Sequence, residues 1–150
     1  MKYTLHENLE QYNGISSNLH GFINRHLDTG FKTKWSGYWS PPYKFLDYYA
    51  IKINGQWLDP DSLEATEYGE NFIFHHETDS LEIKEEIRTT EGLPGFNLIL
   101  EIENKTEEKK AVHTVLEPGI DIRKVDQDLG SQDYSMEKSD KRLTVSNEEG

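Results

Sequence analysis

The chain has 150 residues, 34% of them hydrophobic and 11% aromatic, with no cysteine and a formal charge of −12 at pH 7. That length supports one hydrophobic core rather than two, and the missing cysteines exclude disulfides, thiolate metal sites and a cysteine nucleophile. Residues 1–60 hold six Lys/Arg against five Asp/Glu, whereas 61–150 hold ten against 23; so acidic a surface repels phosphate and argues against a nucleic-acid partner, and its plainest reading is a solvated sheet face.

The N-terminal run Met1-Lys2-Tyr3-Thr4-Leu5-His6-Glu7 has a lone lysine and no apolar stretch of signal-peptide length. No apolar run approaches the roughly 20 residues of a membrane-spanning helix. A soluble, cytoplasmic protein with no membrane partner is the expectation. In Leu19-His20-Gly21-Phe22-Ile23-Asn24-Arg25-His26, two histidines flank an arginine. His20 and Arg25 suit a carboxylate or sugar hydroxyls, or are ordinary strand and loop polar residues; their spacing is not that of a metal motif.

Nine of the 17 aromatic residues fall in 31–57, and all three tryptophans in 35–57. Pro41-Pro42 prevents a helix across the pair and stiffens an extended path, so Trp35, Tyr38, Trp39 and Tyr43 are expected on a displayed loop. Such rings cap the end of a fold, stack on the C–H faces of sugars, or pack on another domain. Residues 1–47 then read as an N-terminal arm with an aromatic Pro-Pro loop, and 48–150 as serial antiparallel strands, all in one domain of 1–150.

From Tyr48 the strand signals are dense. Tyr48–Ile53, Asn54-Gly55 and Gln56–Leu58 spell a hairpin, because Asn-Gly supplies the two positive-φ residues of a type I′ turn. Phe72–His76 and Leu81–Arg88 flank the turn cluster 77–80. In the second run Leu81, Ile83 and Ile87 alternate with Glu82, Lys84, Glu86 and Arg88, and Glu85 breaks the apolar face. Helix is the rival there, but its apolar stripe is thin. His75 and His76 point to opposite faces of a strand and do not grip one ion. Phe96–Glu103 is the cleanest strand, with Phe96, Leu98, Leu100 and Ile102 on one side. Ala111–Glu117 follows a polar loop and is closed by Pro118-Gly119, and Ile120–Arg123 extends it. Tyr134–Lys138 and Arg142–Ser146 complete the set, and Asn147–Gly150 reads as a turn lacking its second arm, as expected of a chain cut from a longer protein. The pattern predicts an all-β antiparallel sandwich, incomplete at its C-terminus.

No Gly-x-Ser-x-Gly elbow, phosphate-cradling glycine loop or His-Glu-x-x-His pair occurs. Carboxylates abound, but sequence does not say which two stand across a glycosidic bond. No catalytic residue, metal or cofactor is therefore assigned.

The block Trp35-Ser36-Gly37-Tyr38-Trp39-Ser40-Pro41-Pro42-Tyr43-Lys44-Phe45-Leu46-Asp47-Tyr48-Tyr49, continuing through Ile51-Lys52-Ile53-Asn54-Gly55-Gln56-Trp57-Leu58, resembles the N-terminal region of prokaryotic, chiefly archaeal-type, glycogen debranching enzymes (amylo-α-1,6-glucosidases). Leu93-Pro94-Gly95-Phe96 with Leu98–Lys105 looks like a second matching segment. The resemblance implies a β-sandwich that precedes a helical (α/α)-barrel carrying the catalytic carboxylates, which would lie beyond Gly150. It also implies an accessory role in which Trp35, Tyr38, Trp39 and Tyr43 face either the α-glucan or the barrel. From a different class, a stand-alone carbohydrate-binding module, or an interaction module whose acidic face meets a basic protein, fits the same composition.

Overall fold

The computed structural model describes residues 2–27, 35–124 and 135–146. Its elements are β1 (Tyr3–Leu5), β2 (Gly14–Ser17), β3 (Phe22–Arg25), β4 (Gly37–Ser40), β5 (Tyr43–Ile53), β6 (Gln56–Trp57), β7 (Leu63–Tyr68), β8 (Phe72–Glu77), β9 (Leu81–Thr89), β10 (Phe96–Asn104), β11 (Thr114–Lys124), β12 (Ser135–Ser139) and β13 (Arg142–Ser146), with 3-10 turns at Leu9–Gln11 and Pro60–Ser62. The strands form an antiparallel five-stranded sheet, β1-β7-β8-β9-β10, and an antiparallel six-stranded one, β11-β5-β4-β3-β2 with β6 beside β5; among the described residues β12 and β13 pair only with each other. The fold is all-β, as the alternating pattern predicts. Among the described residues no helix is long and apolar enough to cross a membrane.

The two large sheets face each other across one core. The first contributes Leu63, Phe72, Phe74, Leu81, Ile83 and Ile87; the second contributes Ile23, Tyr38, Leu46, Tyr49, Ile51 and Ile53. Along β9, buried and exposed residues alternate from Leu81 to Ile87, which settles strand over helix. At the β5–β6 turn Asn54 and Gly55 adopt φ 49° and 90°, the left-handed pair that a two-residue hairpin needs.

The aromatic segment corrects the expected loop. Residues 37–40 and 43 onward are strands, and Pro41-Pro42, joined by a cis peptide, is only the connection between them. A turn requires no ladder N–H from its residues, so the prolines sit where they cost the sheet nothing. The arm expected over 1–47 thus supplies β1 to β4 and the start of β5. A second difference lies in β11, which begins at Thr114 and runs through Pro118-Gly119 instead of ending there. Pro118 is tolerated because β11 is the last strand of its sheet, with two register shifts just beyond it. The readings of Tyr134 and of Asn147–Gly150 fall outside the described residues.

Candidate functional site

Adjacent residues on β3 and β4 face opposite sides of their sheet, and this splits the predicted aromatic set. Ile23 and its register partner Tyr38 face the core, where Tyr38 lies 5.4 Å from Phe96 of the other sheet. Phe22 and its partner Trp39 face outward, with their rings stacked at 6.4 Å. Trp39 is nevertheless only 3% exposed. Trp35 lies 5.4 Å from it and is 46% exposed, so Trp35 is the ring of this pair that solvent reaches. Tyr43 neighbours Phe45 at 6.2 Å and Lys124 at 6.0 Å.

Charged residues that the sequence reading overlooked surround Trp39. Lys44, its register partner on β5, is fully buried, with its ammonium 5.3 Å from the Trp39 ring. Lys44 pairs with Asp47 and approaches Asp121 at 3.9 Å. Arg123, the register partner of Lys44 on β11, donates from Nε to Asp121 at 2.6 Å and lies 5.8 Å from the Trp39 ring. Two cations and two carboxylates thus offset each other around an indole. Burial lifts the Asp47 carboxyl above its ordinary range, against the opposing pull of Lys44. The signal for this group was present in Asp121-Ile122-Arg123, where the charges recur at the two-residue period of one strand face. β5 reaches it through a bulge: Phe45 is the extra residue between the pairs Tyr38–Leu46 and Trp39–Lys44. Gly37, at φ 85°, lets β4 lie against β5 there, since an added Cβ would stand 1.7 Å from the Leu46 carbonyl oxygen.

His20 and Arg25 do not meet in one site. His20 is exposed, and its carbonyl accepts from Ser40 Oγ at 2.7 Å. Arg25 is 3% exposed and does bind a carboxylate, but that carboxylate belongs to Glu85 of the facing sheet, at 3.0 Å. Tyr49 donates to the same Glu85 oxygen at 2.6 Å, and the Arg25 guanidinium lies 4.3 Å from the Tyr49 ring. Burial alone would raise the Glu85 pKa; the Arg25 charge and then His76 overcome it and hold the carboxyl at about 2. Burial and the neighbouring Glu85 push the Tyr49 hydroxyl well up.

Ser62, His76 and Glu85 form a chain in the core, with Ser62 Oγ 2.9 Å from His76 Nδ1 and His76 Nε2 3.7 Å from Glu85 Oε2. The single hydroxyl hydrogen of Ser62 serves one acceptor. His76 Nδ1 and the Asp59 carbonyl, both at 2.9 Å, stand within its reach. Ser62 is not an accessible nucleophile: all three residues are at most 3% exposed, and Ser62 closes a capping box with Asp59. The three residues belong to one sheet and the turn that enters it, and Glu85 alone of the three carries the link to the other sheet, through Arg25 and Tyr49.

On the outer face of β8, β9 and β10, Glu77, Glu82 and Glu103 stand opposite one another in register. They border a depression of about 210 Å³ that His75, Lys84 and Glu101 also line. Lys105 pairs with Glu77 at its rim. Among the described residues no three His, Asp or Glu side chains are placed to hold a metal ion. Compared with known proteins, the chain matches no family model, no curated protein and no solved structure.

Proposed function

We propose that this chain is a non-catalytic accessory β-sandwich of a glycogen-debranching type of glycoside hydrolase, docking a catalytic barrel and touching α-glucan with the outer face of the β4–β5 sheet. The observation that carries the reading is the Trp35 ring, half exposed and braced against the buried Trp39 beside Lys44 and Arg123. A half-exposed ring seated on a buried, charge-balanced cluster offers a sugar a C–H stacking plane. The resemblance of residues 35–58 to debranching enzymes supplies the substrate class. The sequestered acids support the accessory role, because buried Glu85 and Asp121 and half-buried Asp47 are each engaged with a cation of the chain itself.

Calorimetric titration with maltoheptaose tests it. Saturable binding is expected, and Trp35→Ala should abolish it while leaving the circular dichroism spectrum unchanged. Binding indifferent to Trp35→Ala places the glucan elsewhere, and release of reducing sugar from glycogen by the chain alone overturns the accessory role.

A further inference from the structure

Among the described residues the two large sheets end in four strands, and three of these edges are blunted. β1 is three residues long and β2 four, too short to template another strand, while β11 carries Pro118 and two register shifts. β10 is different. It ends its sheet, runs nine residues without Pro, Gly or Lys, and pairs with β9 without a register shift.

The direction of its free hydrogen-bonding groups follows from the two ends of the β9–β10 ladder. Thr90 N–H donates to the Gly95 carbonyl and Lys105 N–H to the Ser80 carbonyl, each at 2.9 Å. Odd-numbered residues from 95 to 105 therefore turn their backbone groups toward β9, and Phe96, Leu98, Leu100, Ile102 and Asn104 turn theirs to the open edge. The side chains of Phe96, Leu98, Leu100 and Ile102 pack on the core but are only partly buried. Polar backbone and unfinished apolar surface thus coincide on one strand.

We infer that β10 pairs antiparallel with β10 of a second copy of this chain, joining two five-stranded sheets into one. Complementarity selects the partner and the register. The acids of β10, Glu101 and Glu103, both lie in its C-terminal half. A two-fold axis through Leu100 sets Leu100 against Leu100′, Leu98 against Ile102′ and Phe96 against Asn104′, so every outward backbone group meets a partner. On the opposite face Ile99 meets Glu101′ and Asn97 meets Glu103′, and no acid opposes an acid. Sliding two residues toward the C-terminus sets Glu101 against Glu101′, a like-charge pair that sheets disfavour, and sliding two toward the N-terminus sets Asn104 against Pro94′, which has no N–H to donate. The core-side row then continues without a break from one sandwich into the next.

Sedimentation equilibrium of the full chain at physiological salt is expected to show a concentration-dependent dimer. Ile99→Glu, which places an acid opposite Glu101′ twice by symmetry, should weaken it by about tenfold, and Ile99→Lys should tighten it; an unchanged far-ultraviolet spectrum and melting temperature establish that each variant is folded. The absence of native cysteine permits a register test. Ile99→Cys combined with Glu101→Cys should cross-link copies on mild oxidation, whereas Ile99→Cys alone should not. A monomer at every concentration, a dimer blind to both charge changes, or cross-linking by Ile99→Cys alone each overturns this pairing.

Discussion

Glu85 carries a full charge at a position of β9 where its neighbours Leu81, Ile83 and Ile87 are aliphatic, and it is fully buried. A carboxylate persists there because Arg25 and Tyr49 reach it from the facing sheet. Removing one partner leaves the other charge uncompensated in the core, so Arg25→Met should destabilise the fold by about 3–5 kcal/mol. Arg25→Met combined with Glu85→Leu should recover part of that loss, since two apolar side chains replace two desolvated ions; chemical denaturation of both singles and the double measures the coupling. The pH dependence has a fixed sign. The Glu85 pKa falls from an ordinary 4.5 to about 2 on folding, so its stabilisation is complete above about pH 4.5 and is lost as pH falls toward 2. Acid unfolding of the wild type should therefore steepen across that window. In Arg25→Met the carboxyl loses the charge that held it down, and the transition should move to higher pH.

At the scale of elements, the β4–β5 hairpin shows what strand alternation hides and reveals. Phe72–His76, Leu81–Arg88 and Phe96–Glu103 were legible because each has one face in the core and one in water, and period two writes that directly into the sequence. β4 and the first half of β5, before Tyr48, were not legible in this way, because both faces are covered where they meet: Tyr38 lies inside with Phe96, and Trp39 outside with Lys44 and Arg123. A strand covered on both faces, with a buried lysine on one of them, shows no apolar period, and Pro41-Pro42 then draws the eye to a loop. The exposed and buried tryptophans should separate experimentally. Trp39→Ala removes a buried ring and should lower stability by about 3–5 kcal/mol, whereas Trp35→Ala should change it by under about 1 kcal/mol. Gly37→Ala should rival Trp39→Ala, since its methyl meets the Leu46 carbonyl, which is backbone and has no side-chain freedom to yield. Thermal denaturation of the three variants orders them.

Over the whole molecule the pairings span long stretches of chain: β1 pairs with β7, and β11 reaches back to β5, joining Lys124 to Tyr43. Such a topology closes large loops before non-local contacts form, and it concentrates protection in the central strands of each sheet. The β12–β13 hairpin stands at the other extreme. Among the described residues it pairs with neither large sheet and leaves Met136 71% and Leu143 52% exposed, and a two-stranded sheet alone is marginal in water. Native-state hydrogen exchange should therefore find the amides of 135–146 fastest and those of β8 and β9 slowest. β10 should show a pattern of its own. In dilute solution the amides of Asn97, Ile99, Glu101 and Glu103, bonded to β9, should exchange slowly, and those of Leu98, Leu100 and Ile102, turned to the free edge, quickly. Raising the protein concentration should slow only the second group, because an antiparallel partner occupies those N–H groups and no others. Uniform protection along β10 at low concentration would mean that its edge is already covered within one copy.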